Sequence, residues 1–139
     1  MLTYKKTLAA ACLAASAAII PAVSSGSDSK TIDLTAVRTG NLNTSKTTFV
    51  ETDNDVIGGK KVGADVVQGS YDPKTKTVKG NVAAALEGGI LYLSWEQKGN
   101  AKSFDGTVDG GTGDYKGVTG TWTGTNTTKK KTHVVVTYH

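Results

Sequence analysis

Along most of the chain, hydrophobic and polar positions alternate with a period of two, as strands with one buried face require. Val78, Gly80, Val82, Ala84 and Leu86 share one side, with Thr77, Lys79 and Asn81 on the other. Phe104, Gly106 and Val108 oppose Asp105, Thr107 and Asp109, and Val118, Gly120, Trp122 and Gly124 oppose four threonines, Thr119, Thr121, Thr123 and Thr125. Ile32, Leu34 and Ala36 follow the same rule. "ILYLSW" is apolar on both faces; Leu91, Leu93 and Trp95 are assigned inward, Ile90 and Tyr92 outward. A doubly apolar strand is either covered outside or lies in an interface.

Breakers punctuate this pattern roughly every ten residues, the spacing of a β-sandwich or barrel. The pattern predicts eight strands, at about 31–37, 45–52, 61–71, 77–86, 90–97, 102–109, 118–126 and 131–138. Asp72-Pro73, Glu87-Gly88-Gly89 and Lys98-Gly99-Asn100 supply turn chemistry, and Asp53-Asn54-Asp55 through Gly58-Gly59 is read as the longest irregular loop. Helix-length spacers are missing between the runs, so the connections are expected to be antiparallel hairpins.

The first 24 residues read differently. Lys5 and Lys6 precede an apolar and small-residue run from Leu8 to Ile20, and Pro21-Ala22-Val23-Ser24 offers small residues for cleavage near 22–25. The expected layout is a signal peptide (1–24), a polar linker (25–30) and one β domain (31–139), exported to the cell surface or beyond. The run is too short for a stable membrane anchor. Cys12 is the only cysteine, so cleavage removes disulfides and thiolate chemistry together. A mature domain of about 115 residues must then rely on one buried core. Cleavage also takes the basic count from 16 to 14 against 12 acids, so net charge falls from +4 to +2. Lys129-Lys130-Lys131 is the one basic run, too small a face for nucleic acid, which is excluded as a partner.

"GGTGDYKGVTGTWTG" (110–124) concentrates the glycines. A dinucleotide fingerprint fails because Lys116 stands where its third glycine belongs and strand follows. A calcium β-roll fails because Tyr115 holds the aspartate position and no second copy exists. What remains is a structural corner. Gly110, Gly111 and Gly113 let the chain leave one strand, Gly117 lets it enter the next, and Tyr115 lies back over the end of the domain.

The inward residues Gly80, Ala84, Gly106, Gly120 and Gly124 are all small. Either Trp95, Trp122 and Phe104 pack across the interior and fill it, or a ligand-sized pocket remains. Both readings stay open. Arg38, Asp65, Tyr71 and Glu96 are the polar groups on or near strands, and each is expected at a rim or surface because unpaired buried charge is costly. His133 and His139 are too few and too far apart for a metal site, so neither metal nor cofactor is expected.

"GTVDGGTGDYKGVTGTWTG" resembles the corner of the allene oxide cyclase and dirigent family, where a glycine-glycine-threonine-glycine-x-tyrosine segment joins two late strands. "GGKKVGADVVQGSY" resembles that family's glycine-rich turn, and "AAALEGGILYLSWE" its hairpin into the strand lining the barrel. The likeness covers about residues 47–126. It implies an all-β, eight-stranded antiparallel β-barrel of calycin-like form, often homo-oligomeric, with an apolar lumen. Such barrels cyclise an unsaturated epoxide, steer coupling of phenoxy radicals, or close polyketide rings. Any enzyme of this kind here would be a cofactor-free cyclase or isomerase; no catalytic residue carries over. Two functions follow as expectations. In one, the lumen binds a small apolar or aromatic molecule through Tyr71, Leu91, Leu93, Trp95, Phe104 and Trp122. In the other, a filled barrel serves as an extracellular interaction module through the surface around Ile90 and Tyr92.

Overall fold

In the computed structural model, residues 28–139 are described, and they form an all-β closed barrel of eight strands. The expected signal peptide and most of the expected linker lie outside these residues. In chain order the strands are β1 (Lys30–Asn43), β2 (Thr48–Ile57), β3 (Lys60–Asp72), β4 (Thr77–Leu86), β5 (Gly89–Lys98), β6 (Ser103–Gly111), β7 (Gly120–Thr128) and β8 (Lys131–Tyr138). Every neighbour pair is antiparallel, and β8 closes back on β1. The pairing from Lys30 through Tyr138, Gly120, Val108, Leu93, Val82, Val67 and Glu51 returns to β1 at Asn41, the stagger of tilted strands in a closed sheet.

Two expectations are corrected. The segment from Asp53 to Ile57 is strand, not loop: β2 runs on to Ile57 and turns through Gly58 and Gly59, both with positive φ. Acidic residues at alternate positions looked like loop chemistry, but Glu51, Asp53 and Asp55 share the inner face of a paired strand. The first strand likewise extends past Val37 to Asn43, with a bulge between Arg38 and Gly40.

The alternation on β4 to β8 holds. Leu34, Ala36, Val82, Ala84, Leu91, Leu93, Val108, Trp122, Val134 and Val136 make the buried core. Across the ladder each inward aromatic is paired with a glycine: Phe49 with Gly69, Trp95 with Gly80, Phe104 with Gly124, and Trp122 with Gly106. A Cβ added at any of those glycines would run into the ring beside it. The rings therefore lie down over bare backbone on the wall.

The 110–124 segment is a corner. Gly110, Gly113 and Gly117 have φ of 106°, 59° and 77°, and Gly113–Tyr115 makes a single 3-10 turn. Gly111 has no side chain to collide with Tyr115 and the Ile90 carbonyl. Tyr115 is buried, donates its hydroxyl to Glu87 O at 3.0 Å and meets Tyr138 edge-on, ring centroids 5.8 Å apart. Asp114 N–H donates to Gly88 O at 2.9 Å, which locks the corner onto the β4–β5 turn and seals that end of the barrel.

Gly113→Val puts a branched side chain at a left-handed position and drives it into the Gly88 carbonyl. It is expected to destabilise the fold by more than about 1 kcal/mol in chemical denaturation; a parent-like midpoint would show that the corner has another role.

Candidate functional site

The lumen contains a cavity of about 220 Å³. Its floor, next to the sealed end, is aliphatic: Ile32, Leu34, Leu86, Leu91 and Val136. One wall is aromatic. Trp95, Phe104 and Trp122, on β5, β6 and β7, touch one another with centroid separations of 5.4 to 6.3 Å in tilted or edge-to-face geometry. Trp122 Nε1 donates to Ser94 O at 3.0 Å, so its polar edge is satisfied by the wall and the ring position is fixed. Toward the far end, which bears the β1–β2, β3–β4, β5–β6 and β7–β8 turns, Arg38, Glu51, Gln97, Asn126 and Thr132 line the cavity.

The wall formed by β2 and β3 is acidic. Asp53 and Asp65 are register partners across the ladder and both border the cavity. Asp55, two residues beyond Asp53, is 1% exposed and Asp65 is 7% exposed. The expectation that Asp65 sits at a rim or surface is therefore overturned: β3 directs odd-numbered residues inward, as it does Val67. Glu96 does lie outside, paired with Lys79 at 3.1 Å. Arg38 stands opposite Asp53 across the β1–β2 ladder; it binds Glu51 at 2.7 Å and donates to Lys129 O at 3.3 Å, while its charge lowers Asp53 and its Nε has no hydrogen-bond partner among the described residues.

Burial dominates the protonation of this cluster. Asp65 is pushed from the ordinary 3.8 up to about 8, by burial first and then by the charges of Asp55 and Asp53 and a hydrogen bond to Asp55. Asp55 is also raised by burial, with the hydrogen bond from Asp65 and the charge of Lys61 acting the other way. Asp65 is thus the proton holder and Asp55 the acceptor. Asp53 rises to about 6 through burial and then Glu51, opposed by Arg38. As carboxylates, Asp53 Oδ1, Asp55 Oδ2 and Asp65 Oδ1 all lack a donor. One shared proton serves the Asp55–Asp65 contact, while Asp53 has the charge of Arg38 across the ladder but no donor on Oδ1.

The structure places Leu91, Leu93, Trp95, Phe104 and Trp122 on the lining of the cavity. Tyr71 is not with them: it is 37% exposed, near Gly99 of the β5–β6 turn. The acidic wall was missed in reading the sequence. Its signal was the alternation of Glu51, Asp53 and Asp55 with Val50, Thr52 and Asn54, obscured by loop-like composition. Among the described residues, no group of three or more His, Cys, Asp or Glu is arranged to hold a metal ion.

This geometry defines a class: a small closed eight-stranded barrel with a lumen cavity. One solved structure with a similar eight-stranded barrel is pyocyanin demethylase, which superposes with a TM-score of 0.69 at 17% identity, covering 79% of this chain and 100% of that chain. At that identity the likeness is one of fold. No family model matches the sequence, and no curated protein matches it.

Carboxyls that hold protons more tightly when folded stabilise the protein most at low pH. The folded state binds more protons than the unfolded chain between about pH 4 and about pH 8, so this cluster's contribution declines as pH rises through about 6 for Asp53 and about 8 for Asp65. Asp65→Asn retains a donor toward Asp55 without the titration. Its thermal midpoint is expected to gain on the parent from about pH 4 to about pH 8 and to level off above that. A difference independent of pH would contradict this assignment.

Proposed function

We propose that this chain is an exported barrel that binds a small apolar or aromatic molecule in its lumen. The observation that carries the reading is the cavity of about 220 Å³ held between three aromatic rings and an aliphatic floor. An enclosed apolar cavity of about 150 Å³ accepts benzene, and drug-sized pockets begin near about 300 Å³. A guest of one or two fused rings fits this range. The named role of pyocyanin demethylase gives a precedent for small-molecule chemistry on this fold. Membership of the allene oxide cyclase and dirigent barrels, carried by the corner and hairpin motifs, extends the proposal to cyclisation or coupling of the guest. Asp65 supports that extension, since a carboxyl still protonated near neutral pH supplies a proton to an oxygen on a bound molecule. Export is the part of the proposal that rests on the N-terminal pattern.

The interaction-module reading has one observation in its favour. Val66, Ala83 and Tyr92 stand in one register row on the outside of β3, β4 and β5, with Val66 48% and Tyr92 41% exposed. This is a place where homo-oligomers would meet.

Tryptophan emission titrated with naphthalene- and indole-sized compounds is expected to change saturably. Trp95→Ala is expected to weaken binding about tenfold through loss of a stacking surface, and Thr121→Val, on the outer face, to leave it unchanged. If no compound gives saturation while sedimentation shows self-association abolished by Tyr92→Asp, the module reading replaces this one.

A further inference from the structure

We infer that the lumen is a site for a small flat organic cation, its ring against Trp95, Phe104 and Trp122 and its positive edge against Asp53 and Asp65. The inference rests on the lumen reading above and names the class of guest.

Charge balance is the first argument. Glu51, Asp53 and Asp65 border the cavity, Asp55 stands buried beside them, and Arg38 is the single cation among the lining residues. That guanidinium is engaged by Glu51 at 2.7 Å. Asp53 stands across the β1–β2 ladder from Arg38 and feels part of its charge, so three carboxyls on the cavity and a fourth beside it share one guanidinium. Lys61 of β3 acts on Asp55 only, and β4 presents Ala84 and Leu86 to this wall, with no charge. The lumen is left short of positive charge.

The second argument is the state of the carboxyl oxygens. Asp65 is 93% buried, since its exposure is 7%, and it borders the cavity with Oδ1 receiving no donor. Asp53 Oδ1 and Gln97 Oε1, on the same cavity, also lack donors; the one unpartnered donor there among the described residues is Arg38 Nε, so unmet acceptors outnumber unmet donors. Buried acceptors without donors are costly. A guest with an N–H edge or a fixed positive charge supplies what the protein does not.

The third argument is what faces them. In a closed eight-stranded barrel, β2 and β3 stand across the lumen from β6 and β7, so Phe104 and Trp122 face the acidic wall, with Trp95 beside them. Aromatic faces attract cations, and desolvation strengthens the effect. One wall favours flatness and positive charge, the other positive charge alone. A neutral guest gains the ring contact and leaves the carboxyls unanswered; an anion is repelled.

The test compares three guests of one shape, 1-methylquinolinium, 1-methylnaphthalene and 1-naphthoate, titrated into the purified protein with tryptophan emission and calorimetry as readouts. The cation is expected to bind at least about tenfold more tightly than the neutral compound, with the anion weakest. Asp53→Asn/Asp65→Asn is expected to reduce the preference for the cation to less than about twofold while the affinity for 1-methylnaphthalene stays put. Asp53→Asn alone, at the less buried position, is expected to remove part of the preference and serves if the double variant fails to fold by circular dichroism. A neutral guest that binds as well as the cation overturns the inference and leaves the lumen reading standing. A preference that survives in the asparagine variants overturns it as well. Absence of saturable binding by all three compounds overturns both.

Discussion

The structure depends on glycines lying under aromatic rings. At four places a ring on one strand covers a glycine directly across the ladder, and a single Cβ at Gly69, Gly80, Gly106 or Gly124 would displace it. A bare glycine weakens a strand by exposing backbone and packing nothing; the covering ring repairs both defects. The same arrangement decides the volume of the interior. Rings laid along the wall take up the space the missing side chains vacate, and the centre stays open. Had the paired positions carried valine, the rings would have had to stand into the lumen and fill it.

From that constraint the two ends of the barrel acquire different characters. Tyr115 and Tyr138 close one end, with the 3-10 turn bonded to the β4–β5 turn through Asp114 N–H and Gly88 O. Polar side chains gather toward the other, where Arg38 ties β1 to Glu51 and to the β7–β8 turn. A guest would meet the polar groups first and the aliphatic floor last. This gradient orients a molecule with one charged and one apolar end, which is how a few polar groups in an apolar pocket confer specificity.

Much of this was legible in the sequence, and the failures have physical causes. Alternation located the strands from β4 onward because their inward residues are apolar or small and their outward ones polar. The corner was readable because only glycine suits its backbone angles at residues 110, 113 and 117. The small inward residues posed the right question, filled or hollow, but the answer required the register that sets each glycine opposite a ring. β2 was cut short because alternation was sought in hydrophobicity, and an inner face made of Glu51, Asp53 and Asp55 alternates in nothing but geometry. Asp65 was placed outside by the rule that charge avoids burial. That rule breaks where a carboxyl can keep its proton, and its partner Asp55 comes from the stretch read as loop.

The acidic wall has no explanation in stability. The rest of the interior is built from leucine, valine, alanine and aromatic side chains, and apolar residues of similar size at 53 and 65 would extend that packing without any desolvation cost. Instead the fold retains carboxyls that repel one another, hold protons well above their ordinary range and leave acceptors without donors. Their neighbours compensate them only in part: Arg38, opposite Asp53, is bonded to Glu51, and Lys61 acts on Asp55. Titratable groups perturbed by burial and by like charge, gathered on one side of a cavity, mark functional sites more often than structural ones. On the proposal made above, a positive guest in the lumen would offset what these carboxyls cost the fold, and the acidic wall and the ring-lined cavity would then act as two halves of one site.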